Sequence, residues 1–283
     1  NISHAAKGLW TDSKDSTLPV DFQVQGEYVG ELSCGCDFGA QVIALGNGQF
    51  QAVLYPGGLP GASWERGEKR SLLTGKLEGG KAVFTMAEGK RRYLGGSAEQ
   101  FSATNKFPPD GHKTASATIL KGRMIGVYGK KKFELGRTLR KSPTMGAKPP
   151  KGAIVLFNGT GKDEWQGGRA DEKTKLLNTD GRDIRTTRKF QNYTMHMEFM
   201  LPFKPAARGQ GRGNSGLYMQ GRYETQILDS FGLEGLNNEC GGIYSKKDSD
   251  VNGCFPPLSW QTYDVDFTNA RSKDGKKVQN AVL

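Results

Sequence analysis

The stretch Gly213 to Asp229, GNSGLYMQGRYETQILD, constrains the fold more than any other part of the chain. Leu217 and Met219 alternate with Tyr218 and Gln220, and a turn follows at Gly221-Arg222. Beyond it, Glu224 and Gln226 alternate with Tyr223, Thr225 and Ile227. Period-two alternation on both sides of a tight turn predicts a β-hairpin. One face is mostly apolar and the other carries an amide, a phenol and a carboxylate. Such a hairpin suits a β-sandwich whose outer concave face binds something polar. Gly213, Asn214 and Gly216 supply the small or left-handed-tolerant residues that a bend into the first strand needs.

The same logic runs through the N-terminal half. Ala40–Leu45, the turn Gly46-Asn47-Gly48 and Gln49–Tyr55 predict a second hairpin. Leu72–Leu77 with Lys81–Thr85 predicts a third, and Ala115–Leu120 with Met124–Tyr128 a fourth. Forty glycines and twelve prolines in 283 residues leave few segments with a sustained helical period, so the chain reads as all-β. Hairpins at this spacing suggest a β-meander, either a small barrel or a sandwich. The length admits two domains, each with its own core. The expected order is an arm over 1–24 anchored by Trp10, a β-rich domain over 25–141, a Pro/Lys linker over 142–152 (SPTMGAKPPKG) and a second domain over 153–283. That domain is expected to start with the strand AIVLFNG, with further short strands at Leu176-Leu177 and Asp183–Thr187.

Charge narrows the function classes. Forty Lys+Arg against 29 Asp+Glu give a net +11, but the basic residues are spread out rather than gathered on a nucleic-acid motif. The densest run, Lys130-Lys131-Lys132 through Arg137, Arg140 and Lys141, leads into the linker and reads as a solvated surface. No apolar run is long enough to span a bilayer. His4 and His112 are isolated and read as surface residues. The loop Tyr55–Trp64, YPGGLPGASW, reads as a rigid connection with Trp64 packed beneath it.

Four cysteines form two sequence pairs, Cys34/Cys36 and Cys240/Cys254. The second pair brackets a thirteen-residue loop, and a bridge there would contribute about 3 kcal/mol in an oxidising compartment. Structural disulfides or free thiols stand ahead of metal, because Cys34-Gly-Cys36 finds no second Cys/His pair at ligand spacing. A processed, exported chain or a trimmed one would each account for a start at Asn1.

In Tyr193–Met200, YTMHMEFM, the residues Met195, Met197 and Phe199 form one face, and His196 and Glu198 the other. Asp264 and Asp266 repeat the pattern in YDVDF. If these strands share a sheet with the hairpin, Glu198, Glu224, Gln226, Asp264, Asp266 and His196 line one polar face. Adjacent carboxylates on paired strands repel unless a ligand, cation or basic group offsets them, and Arg222 is a candidate.

The segments LFNGTGKDEWQ, YTMHMEFMLP, GNSGLYMQGRYETQILDSFG, CGGIY and WQTYDVDF resemble the 3-keto-disaccharide hydrolase domain, from about Ile154 to Leu283. The resemblance implies a concanavalin A-like jelly-roll sandwich in a secreted or periplasmic bacterial protein acting on glycosides oxidised at C3. The keto group acidifies the C2 hydrogen, so a base removes it and the enolate expels the C1 substituent. Water then adds, which avoids the oxocarbenium route of paired-carboxylate glycosidases. Such a site needs a base, an enolate stabiliser and an acid. Glu198 and Glu224 are the candidate bases or metal-binding carboxylates, with His196 as rival, and Arg222 or a divalent cation the candidate stabiliser. Asn214, Tyr218, Gln226, Asp229, Tyr244 and Trp260 are the candidate sugar-binding residues, Asp229 alternatively orienting a loop. The alternative function is a non-catalytic, lectin-like carbohydrate-binding protein, since one fold carries both uses.

Overall fold

The computed structural model describes residues 8–283; His4 lies outside them. Eight antiparallel strands close into a barrel. In chain order they are β1 (Gly26–Leu32), β2 (Cys36–Gly46), β3 (Gln49–Pro56), β4 (Ser71–Glu78), β5 (Lys81–Met86), β6 (Ala115–Leu120), β7 (Arg123–Tyr128) and β8 (Lys131–Thr138). Neighbours in sequence are neighbours in the wall, and β8 returns to pair with β1 from Glu27↔Thr138 to Leu32↔Phe133. Closure leaves no open sheet edge to template aggregation.

The three expected hairpins are β2–β3, β4–β5 and β6–β7. The two closing strands, β1 and β8, are additions to the sequence reading. The Lys130–Arg137 run expected to lead into the linker is itself a strand, in which Phe133 and Leu135 point into the core between exposed Lys132 and Glu134. Inward side chains such as Tyr28, Phe38, Phe50, Leu54, Leu73, Phe84 and Met124 are buried, and each such group stabilises by about 1.5–3 kcal/mol.

Strands β2 and β3 are buried along nearly their whole lengths, so both their faces are covered. The inner face meets the barrel core. The outer face of β3 is sealed in part by the 101–103 segment, where Gln51 Nε2 donates to the Phe101 carbonyl (2.9 Å) and the Ala103 N–H donates to Gln51 Oε1 (2.7 Å). Over β2 lies the segment Glu198–Gln261, which belongs to the same compact unit as residues 1–142. Arg208 and Arg212 donate to the carbonyls of Leu45 (3.0 Å) and Ala44 (3.1 Å), and Arg70 pairs with Glu234 (2.9 Å). The expected anchor Trp10 pairs backbone-to-backbone with Phe203 and sets its ring, tilted, against that of Phe203 at 5.7 Å. A short helix, α1 (Val20–Val24), ends the arm.

A second unit comprises Pro143–Met197 and Thr262–Leu283. The expected strand at 153–157 does not form: Ile154 and Val155 are exposed and no neighbouring strand pairs with them. Short pairs form instead between Trp165–Gln166 and Arg185–Thr186, and between Arg169–Asp171 and Leu176–Asn178. Among the described residues the 152–282 region is built from two-stranded sheets.

Two smaller readings are settled by contacts. Trp64 is buried, edge-on to Tyr55 at 5.1 Å, so Tyr55–Trp64 is the rigid connection expected. His112 is half-buried rather than free at the surface: it accepts from the Leu72 N–H (3.2 Å) and its other nitrogen meets the Ala87 carbonyl (3.0 Å). It pins a loop to β4.

Candidate functional site

The opening hairpin forms as β10 (Ser215–Met219) and β11 (Tyr223–Ile227), after β9 (Tyr193–Met200). Its turn lies at Gln220-Gly221, both at positive φ, one residue earlier than the sequence suggested. The register pairs Tyr218 with Glu224 and Gly216 with Gln226. On the other side of β11, Tyr244 donates its N–H to the Glu224 carbonyl (2.9 Å) and Gln226 donates to the Gly242 carbonyl (2.9 Å). Opposed residues in a ladder share a face. Tyr218, Glu224 and Tyr244 therefore form one cross-strand row, and Gly216, Gln226 and Gly242 the next.

The two rows interlock through Glu224. Its Oε2 accepts the Tyr218 phenol (2.8 Å). Its side chain lies over Gly216, where an added Cβ would fall on Oε1 and come within 2.8 Å of Cγ and Cδ. Only glycine leaves that space. The buried Gln226 amide reaches Gln210 (2.8 Å) and Asn214 (3.2 Å), and with the amide turned over it donates to Glu224 Oε1 (3.2 Å). The Tyr218 and Tyr244 rings are 55% and 40% exposed, so a polar ligand has two aromatic edges beside one carboxylate. Gln210 also donates to the Asn238 carbonyl (2.9 Å), joining the site to the 235–244 loop.

Other expected residues fall elsewhere. Strand β9 pairs with β12 (Trp260–Phe267), a sheet separate from β10–β11, so the expected single sheet splits: His196, Glu198, Asp264 and Asp266 belong to one ladder, Glu224 and Gln226 to another. The physical reason is partner choice: His196 Nδ1 meets Asp264 Oδ1 at 2.7 Å, and Thr194 donates to Asp266 (2.6 Å). The Thr144 hydroxyl (2.6 Å) and His196 hold Asp264 below the usual carboxylate range. These contacts supply the offset to repulsion that Arg222 was expected to give. Arg222 is exposed at the hairpin turn. Glu198 is exposed on β9, and Trp260, 41% exposed, starts β12.

Asp229 is not placed to bind a sugar. It is 2% exposed and held by Arg212 Nε (2.9 Å) and Nη2 (2.7 Å), so its role is to lock the strand end onto Arg212. The disulfide also moves. Cys34 and Cys36 are bridged, whereas Cys240 and Cys254 are buried thiols outside any disulfide. Cys254 Sγ lies 3.5 Å from the carbonyls of Leu228 and Phe255, and a hydrogen bond with Cys240 together with burial pushes its pKa up. A thiol that donates to carbonyls keeps its proton.

One residue that sequence reasoning missed is Glu239, 2% exposed. Its Oε2 accepts the N–H groups of Gly235 (2.6 Å) and Leu236 (3.0 Å), and the Tyr93 hydroxyl bonds Oε1. Burial pushes its pKa up to about 7. No sequence pattern flags it, because Tyr93 lies 146 residues away. Among the described residues no three His, Cys, Asp or Glu side chains gather as a metal-ligating group, and the proposed ligands Glu198 and Glu224 stand on different sheets.

Among curated proteins none matches the chain. A solved structure from Parabacteroides distasonis ATCC 8503, provisionally assigned as a glycosyl hydrolase, is similar at 28% identity and a TM-score of 0.42. The match covers 46% of this chain and 59% of that one. Residues 152–282 match the family model of the 3-keto-alpha-glucoside-1,2-lyase-like domain, the family that the hairpin and strand motifs resembled.

Proposed function

We propose that the protein cleaves 3-keto-glycosides by elimination and hydration, with Glu224 as the base that removes the C2 proton. The family match supports a carbohydrate-active protein. The observation that carries the finer reading is the Tyr218–Glu224–Tyr244 row: one carboxylate, fixed over Gly216, between two exposed phenols. Retaining glycosidases need two carboxyl groups about 5–5.5 Å apart, and the row offers one. A single base with an adjacent O–H suits elimination from a substrate whose C2 hydrogen is already acidified. In this reading Tyr218, hydrogen-bonded to Glu224, passes a proton to the departing oxygen. Gln226 and Asn214 supply amide donors for the enolate oxygen or sugar hydroxyls. The jelly-roll architecture of the family remains part of this proposal, as does a secreted or periplasmic bacterial setting, with which the Cys34–Cys36 bridge accords.

The test is a chromogenic glucoside against its 3-keto derivative. Release from the keto form alone supports the reading. Binding of both sugars without release from either would favour the lectin-like alternative.

A further inference from the structure

The Cys34–Cys36 bridge has no evident structural task. It joins residues two apart at the tip of the β1–β2 hairpin, which the ladder from Gly26↔Val42 to Leu32↔Cys36 already closes. The Gly35 N–H donates to the Leu32 carbonyl (2.8 Å), and Gly35 takes positive φ with open space where a side chain would stand. Stabilisation by a disulfide grows with the loop it closes, so a bridge across one residue adds little to a turn this well held.

Its surroundings instead suit reactivity. Both cysteines are exposed, so a thiolate reaches either sulfur. The Ser33 N–H donates to the Lys132 carbonyl (2.8 Å), which continues the β1–β8 ladder past Leu32↔Phe133 and sets Lys131 opposite Cys34. Lys131 Nζ lies 3.1 Å from Cys34 Sγ. An ammonium in contact with sulfur stabilises the thiolate over the thiol, and over the neutral disulfide. Exposed Lys130 and Lys132 flank it in sequence. Apart from Glu27, which pairs with Arg140 at the far end of β1, the acidic groups on these strands are Glu31 and Asp37, opposed across β1–β2, and Glu134 on β8; Lys131 is the charged group in contact with the sulfur.

We propose that Cys34 and Cys36 form a thiol–disulfide exchange site for small anionic thiols of the glutathione type, with Lys131 stabilising Cys34 as the leaving thiolate. An incoming thiolate attacks Cys36 Sγ, forming a mixed disulfide and breaking the Cys34–Cys36 bond, whose electron pair leaves on Cys34. A second small thiolate attacks the small-molecule sulfur of the mixed disulfide and releases Cys36 as thiolate. The two small thiols are oxidised to their disulfide, the protein bridge is reduced by two electrons, and solvent protons balance the charge. The lower-pKa thiol leaves faster, which sends the attack to Cys36.

The test incubates the full chain in mixtures of reduced and oxidised glutathione, traps thiols by alkylation and locates them by peptide mass. The expected results are opening of the bridge within the glutathione range, an adduct on Cys36, and faster alkylation of Cys34 than of Cys36 at neutral pH. Lys131→Gln should slow Cys34 alkylation about tenfold for each unit its pKa rises, with an unchanged melting temperature. In Cys34→Ser, oxidised glutathione should leave an adduct on Cys36 that only added small thiol releases, since no neighbouring thiol displaces it. A bridge that stays closed at every ratio overturns the proposal. So does an adduct confined to Cys34, or a Lys131→Gln variant with unaltered alkylation.

Discussion

Glu239→Gln should make the protein more stable, and only at high pH. Glu239 is buried, and desolvation is the largest cause of its raised pKa, opposed by the Leu236 and Gly235 N–H groups and by Arg66, and reinforced by Asp248. The ordinary value is 4.5 and the folded value about 7. Below 4.5 both folded and unfolded chains hold the proton, and no difference arises. Between 4.5 and 7 the unfolded chain releases it while the folded chain keeps it, so stability falls as pH rises. Above 7 both forms are ionised and the loss is complete, at about 3 kcal/mol. Glutamine keeps the shape of the protonated acid, with an oxygen for the backbone donors and an NH2 toward Tyr93. Urea unfolding of both proteins at pH 4 and pH 8 measures the effect: near-equal stabilities at the lower pH and a gain for the variant at the higher. Parallel stability curves, or a variant weaker at pH 8, would refute the argument that burial dominates at this carboxylate.

Gly216→Ala should leave the hairpin folded but displace the Glu224 carboxylate, cutting turnover far more than stability; full activity with unchanged KM would show that Glu224 need not lie over residue 216. Tyr218→Phe removes the phenol that bonds Glu224 and should lower kcat about 10²-fold or more if that proton is used, read as initial rates on the 3-keto substrate. Arg212→Met strands the buried Asp229 charge and should cost about 3–5 kcal/mol in urea unfolding; a loss under 1 kcal/mol would mean that water reaches the pair.

The barrel hairpins were legible because turn glycines and apolar alternation coincide there. The closing strands were not, because their inward residues are interrupted by charge. Glu27 sits buried in the wall, paired with Arg140 and accepting from Gln41, and nothing local announces a partner 113 residues away. Within the site, Tyr218, Glu224 and Gln226 followed from strand parity, and the hairpin register brings them together. Parity could not say which sheet His196 and Glu198 would join, since strand partners are chosen by long-range packing. Asp229 shared the polar pattern of a ligand-binding residue, and only the position of Arg212 reveals its structural task. The cysteine pairing failed for a related reason: loop length favoured Cys240–Cys254, whereas the β1–β2 turn brings Cys34 and Cys36 to a Cα separation of 5.5 Å.

The central claim is that the C2 hydrogen is removed by Glu224. The decisive measurement is the mass of the sugar released from a 3-keto-glucoside in D2O by the native protein and by Glu224→Gln, corrected for exchange of the free product. The account predicts one carbon-bound deuterium at C2 with the native protein, and neither release nor deuterium with the variant. A product that retains its C2 hydrogen, or a variant that turns over at the native rate, would contradict it.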